Sequence, residues 1–159
     1  MRRKNVVIVL GLIAVLIAVV SIWSMLSAEP PQAAEDEIML KIQLDLKEDI
    51  GLLILDCKMN GVETSGGISN VNKTMLKHDE VLYWTLNKRE YDHPADTGEL
   101  TIRFRVITEY CDPNYENIYP EEYVILLDPI SINVGFGENY ATTITGDKAN
   151  GYQAVFEEP

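Results

Sequence analysis

Residues 38–47 read Ile-Met-Leu-Lys-Ile-Gln-Leu-Asp-Leu-Lys. Ile38, Leu40, Ile42, Leu44 and Leu46 are apolar, and after Met39 the intervening positions are Lys41, Gln43, Asp45 and Lys47. A period of two puts all five apolar side chains on one face of an extended strand, whereas a helix would scatter them around its axis. The stretch is therefore a strand with one face buried and one wet.

The same signal recurs towards the C-terminus. Asp49-Ile50-Gly51 turns the chain into Leu52–Met59, which ends at Asn60-Gly61, a dipeptide suited to a tight hairpin turn. A Gly-rich loop is expected over Gly61–Gly67. Val81–Leu86 is β-branched and aromatic. Leu100, Ile102, Phe104 and Val106 alternate with Thr101, Arg103 and Arg105. Tyr123–Leu127 leads to Asp128-Pro129, then Ile130, Ile132, Val134 and Phe136 alternate again, and Tyr140–Thr145 and Tyr152–Phe156 form a last hairpin. Residues 79–96 leave room for one helical turn. There is no internal repeat. Seven to nine short strands with Gly, Asn and Pro at their turns predict an all-β fold, an antiparallel β-sandwich of Ig-like architecture, with a barrel as the alternative. Cys57, Trp84, Tyr110 and Cys111 invite comparison with an immunoglobulin domain, but the spacing departs from it. Trp84 lies 27 residues after Cys57, and Tyr110 directly precedes Cys111.

On the N-terminal side the pattern changes. Arg2, Arg3 and Lys4 precede an apolar run from Val6 to Leu26, in which only Ser21 and Ser24 are polar, and no acid occurs before Glu29. As a helix this run would extend about 31 Å, matching a hydrocarbon core of about 30 Å. Basic residues before it and acids after it predict a cytoplasmic N-terminus and an exported remainder. The sites after the run offer a large residue where a signal peptidase wants a small one, which favours an anchor over a cleaved signal; cleavage would make the domain secreted. The expected organisation is a basic tail at 1–5, a single N-terminal transmembrane helix at 6–26, a linker at 27–37 carrying Pro30-Pro31, and an extracytoplasmic domain at 38–159.

Composition narrows the function. The 159 residues carry 13 Lys+Arg against 25 Asp+Glu, a net charge of −12, so a phosphate backbone is repelled and nucleic acid is not an expected partner. Two Cys cannot form a disulfide-dense scaffold or a four-Cys zinc site. Cys57 and Cys111 are a candidate disulfide; closing 55 residues would be worth about 4 kcal/mol in the chain-entropy view. Strand parity opposes it: Cys57 shares the core face with Leu53, Leu55 and Met59, while Cys111 falls out of phase. The bland alternative is one buried and one loop thiol.

The segment 110–123 reads YCDPNYENIYPEEY. Tyr110, Tyr115, Tyr119 and Tyr123 suit a binding loop, because Tyr covers area at little entropic cost; they suit equally a ring packed against the sheet edge. Asp112, Asn114 and Glu116, with Glu121 beyond, resemble the opening oxygens of a calcium loop, without its turn Gly or its closing Glu. Calcium is the one candidate cofactor. His93, between Asp92 and Asp96, and His78 are the only histidines, and no nucleophile motif, HExxH or phosphate loop accompanies them. Arg103 and Arg105 share the polar face of one strand; they are expected to pair with acids such as Asp45 rather than hold an anion. Asn72-Lys73-Thr74 is an isolated sequon. The sequence thus predicts a membrane-anchored binding module for a surface glycan or protein ligand, through the loops at Gly61–Lys73 and Tyr110–Glu122. A structural subunit of an envelope or secretion assembly, or a small secreted hydrolase, are the alternatives.

Overall fold

Nine strands carry the described part of the chain: β1 Glu37–Leu46, β2 Leu52–Met59, β3 Val62–Ile68, β4 Val81–Asn87, β5 Thr97–Ile107, β6 Val124–Leu126, β7 Ile130–Gly135, β8 Asn139–Asp147 and β9 Gly151–Phe156. The structure, a computed structural model, describes residues 30–72, 74–91, 95–109 and 121–157. Single 3-10 turns occupy Lys88–Glu90 and Glu121–Tyr123. The first falls inside the stretch where one helical turn was expected.

The strands form two sheets. One has the order β4-β1-β8-β9, the other β3-β2-β5-β6, with β7 also paired to β5. The alternation in β1 does what its period requires: Ile38, Leu40, Ile42 and Leu44 are fully buried. They share one hydrophobic cluster with Leu53, Leu55 and Met59 of β2 and with Leu100, Ile102, Phe104 and Val106 of β5. Each such side chain contributes about 1.5–3 kcal/mol by leaving water, so the cluster between the sheets dominates stability.

Three expectations are corrected. First, the arrangement is not wholly antiparallel. β1 runs antiparallel to β4 (Leu40 opposite Trp84) but parallel to β8, from Met39 opposite Asn139 to Leu46 opposite Gly146. Alternation fixes which face a residue takes and says nothing about the direction of the neighbouring strand.

Second, Gly61–Gly67 is not a loop. Asn60 (φ 53°) and Gly61 (φ 84°) both take the left-handed backbone a two-residue hairpin demands, and β3 returns along β2 with Asp56 opposite Ser65. The glycine that disguised the strand is there for space. A Cβ on Gly66 would run into the six-membered ring of Trp84.

Third, the two-sheet, all-β arrangement is present, but nothing among the described residues supports the Ig-like part of the expectation. Trp84 sits on the edge strand β4 and reaches across to Gly66 of β3 in the other sheet.

The C-terminal compact unit is Gln32–Pro159. Its first residues are tied to β8, since Asn139 accepts from Ala33 N at 2.9 Å and donates to Gln32 Oε1 at 2.7 Å. Among the described residues no helix is long and apolar enough to cross a membrane; the run at 6–26 lies outside them.

Candidate functional site: the outer face of the second sheet

Residues that alternate with the core on β2, β3 and β5 point outwards, and the register brings them together. Ser65, Asp56 and Arg103 form one row across the three strands; Glu63, Lys58 and Thr101 form the next. They line a cavity of about 430 Å³ that Pro129 borders at the β7 side. That volume lies within the usual range for small-ligand pockets.

Most charge in this groove is neutralised internally. Asp56 Oδ1 accepts from Arg105 Nη2 at 2.7 Å and from Ser65 Oγ at 2.7 Å. Lys58 Nζ donates to Glu63 Oε1 at 2.8 Å. Thr101 and Ser131 hydroxyls meet at 2.9 Å. Pairs as exposed as these contribute about 0.2–1 kcal/mol each; what they do is fix side-chain positions. Arg103 is different: it is exposed and has no hydrogen bond or ion pair among the described residues. With Asp56 matched by Arg105 and Glu63 by Lys58, Arg103 is the groove's one guanidinium left uncompensated among the described residues, in a chain of net charge −12. A planar guanidinium matches a carboxylate.

The expected pairing of the two Arg residues is thus half corrected. Arg105 pairs, but with Asp56. Asp45 is on β1 in the other sheet and is not the partner of either. The groove itself escaped the sequence reading. The hairpin turn at Asn60-Gly61 could have given the β2–β3 rows, but nothing local announces that β5 lies on the far side of β2.

The other candidate residues are placed unevenly. Tyr110, Cys111, Asp112, Asn114, Tyr115, Glu116 and Tyr119 lie outside the described residues, as do Asp92 and His93. Tyr123 is half-buried, packed against Leu52, Ile54 and Ile107, with Lys148 Nζ 5.4 Å from its ring centroid. Glu121 is exposed at the start of the second 3-10 turn. Among the described residues no three His, Cys, Asp or Glu side chains converge on a metal position. Cys57 is a buried free thiol, and burial pushes its pKa up to about 12.

Two further polar clusters are structural in character. Asp49 accepts from Lys77 Nζ at 2.6 Å and faces His78 Nδ1 at 3.0 Å, which holds its carboxyl well below the usual range and raises His78. No nucleophile is bonded to this pair among the described residues. Asp147 closes the β8–β9 turn: it accepts from Lys47 Nζ at 2.6 Å, from Asn150 Nδ2 at 2.8 Å, and from the backbone N–H groups of Ala149 and Asn150.

No family model matches the chain, and no curated protein does. Among solved structures, a non-hemolytic pneumolysin from Streptococcus pneumoniae strain ST306 and a second pneumolysin structure each align at TM-score 0.39 and 10% identity, and a third, of wild-type pneumolysin, at TM-score 0.36. The chain spans about a quarter of the length of those proteins, 24% for the first two, while 77% of it is covered. A likeness at that level carries nothing from them to this chain.

Proposed function

We propose that the chain is a tethered, non-catalytic binding module that takes up a carboxylate-bearing ligand in the groove over β3, β2 and β5. Residues 6–26 anchor it in a membrane with the N-terminus cytoplasmic, and the two-sheet domain stands on the extracytoplasmic side. The anchor rests on the sequence alone: an apolar run long enough to span, basic residues before it and acids after it. The observation that carries the binding reading is the Arg103 guanidinium, without a partner among the described residues, in the groove that Ser65 and Thr101 also line. The candidate calcium oxygens Asp112, Asn114, Glu116 and Glu121, and the Tyr110–Tyr123 segment, belong to the same reading as a second contact region.

The test is binding of the full-length chain in detergent micelles to two probe sets, uronate-containing oligosaccharides and acidic peptides, with calcium and with chelator. The expected result is retention of one set by the wild type and loss in Arg103→Ala, with Lys41→Ala as the control. Lys41 is an exposed cation on the other sheet. Equal retention by wild type and Arg103→Ala, or retention of neither set, contradicts the proposal.

A further inference from the structure

Sheet edges are where strands recruit other strands, and proteins protect them with charge, Pro, bulges or brevity. The seven residues of β4, Val-Leu-Tyr-Trp-Thr-Leu-Asn, contain no charge and no Pro, and β4 is the first strand of its sheet. Val81 and Tyr83 are both 37% exposed.

The direction of its backbone groups follows from the pairing with β1. Leu44 N donates to Glu80 O, Leu46 N to His78 O, and Lys88 N to Asp36 O. Even-numbered residues therefore turn their N–H and C=O towards β1. By the alternation of an antiparallel ladder, Val81, Tyr83, Thr85 and Asn87 turn theirs outwards. No partner for these groups exists among the described residues.

The ends of the strand carry opposite charge. Asp79 and Glu80 precede β4, and Lys88 and Arg89 follow it. An antiparallel pairing of β4 with a second β4, centred on Trp84, sets Tyr83 opposite Thr85 and Val81 opposite Asn87 of the other copy. All the outward-facing residues then meet their like in hydrogen-bonding position. Just beyond the strand ends the same register brings Glu80 towards Lys88, which now pairs with Asp96 at 2.6 Å, and Asp79 towards Arg89 in the flanking 3-10 turn, at both ends. Arg89 is 86% exposed, and its ion pair with Asp36 is a long one, at 3.7 Å. A parallel pairing would instead stack acid on acid and base on base. From the bare edge, the outward parity and the end charges together, we infer that β4 is a self-association edge that joins two copies of this chain, antiparallel and two-fold symmetric, into a continuous eight-stranded sheet.

The occupant is a second copy because the charge pattern is self-complementary about the strand centre, which a two-fold axis requires. This does not depend on the Arg103 groove, which lies on the other sheet.

The experiment measures self-association of the full-length chain in detergent micelles, by energy transfer between two labelled populations. The expected result is a dimer at about 100 µM protomer. Tyr83→Pro removes an outward N–H and should abolish transfer. Asp79→Arg and Arg89→Asp should each weaken association, by about tenfold, and the double variant should recover it. Circular dichroism reports whether each variant is folded, and the charge swap keeps the test valid if Tyr83→Pro does not fold. A wild-type monomer at that concentration overturns the inference. So does transfer unchanged by Tyr83→Pro, or a double variant no better than either single one.

Discussion

Replacing Gly66 with Ala probes how the two sheets are locked at their β3/β4 border. The added Cβ would overlap the Cη2 and Cζ2 atoms of Trp84, which belong to a rigid ring rather than a flexible chain end. Trp84 is itself held on β4 opposite Leu40, which is fully buried, so the ring cannot back away freely. Overpacking of this kind costs about 1–3 kcal/mol. For a unit the size of Gln32–Pro159, a loss of about 2 kcal/mol lowers Tm by about 6–10 °C.

The sign should reverse when the ring is removed. A Trp84→Leu background removes the ring that a Cβ at Gly66 would meet, and Ala in a strand is favoured over Gly by about 0.5–1 kcal/mol. Urea denaturation followed by circular dichroism on the four variants gives the coupling directly, and about 2–3 kcal/mol is expected. Strict additivity, or a wild-type midpoint for Gly66→Ala, would refute the packing described here.

Other consequences are checked in the same way. Phe104→Ala empties the middle of the inter-sheet core and should cost about 3–5 kcal/mol in the same urea titration. Asp147 is held far below the usual carboxyl range, chiefly by the Lys47 ammonium and then by Asn150, so its stabilisation is present above about pH 4 and lost as pH falls towards its folded value. Asp147→Ala should therefore flatten the acid limb of a Tm-against-pH curve. His78 is raised by its bond to Asp49, so what it contributes is complete below about pH 6.5 and fades as pH rises through the folded value; His78→Gln should remove that component alone. Cys57, buried and with its thiol pushed up to about 12, should resist alkylation at pH 8 in the native chain and react without reductant once urea is added. Alkylation that still needs reductant in urea would restore the Cys57–Cys111 pairing.

Much of the fold was legible because the core is written as alternation. β2 was bounded at Leu52–Met59 from its residues alone, and the buried face of β1 follows from every second position. β3 was hidden because Gly66 and Gly67 are poor strand formers, and only the distant Trp84 explains Gly66. The parallel β1/β8 pair was invisible for a different reason: both strands carry the same face pattern whichever way they run. The groove depends on cross-strand register between β2 and β5, residues far apart in sequence. Arg103 and Arg105 were singled out together, yet only three-dimensional placement separates Arg105, paired with Asp56, from Arg103, which has no partner among the described residues. Asp45 looked like a partner only while the two sheets were indistinguishable.

The binding reading stands or falls on one guanidinium. The side-chain Nε–Hε resonance of Arg103, followed in the full-length chain as acetate and then glucuronate are added, reports on it without a selected ligand. Arg89 is the internal control, being equally cationic and largely exposed. The account predicts a saturating shift at Arg103, accompanied by the Ser65 and Thr101 amides, that Arg89 does not share. Parallel, non-saturating drifts of Arg103 and Arg89 would contradict it.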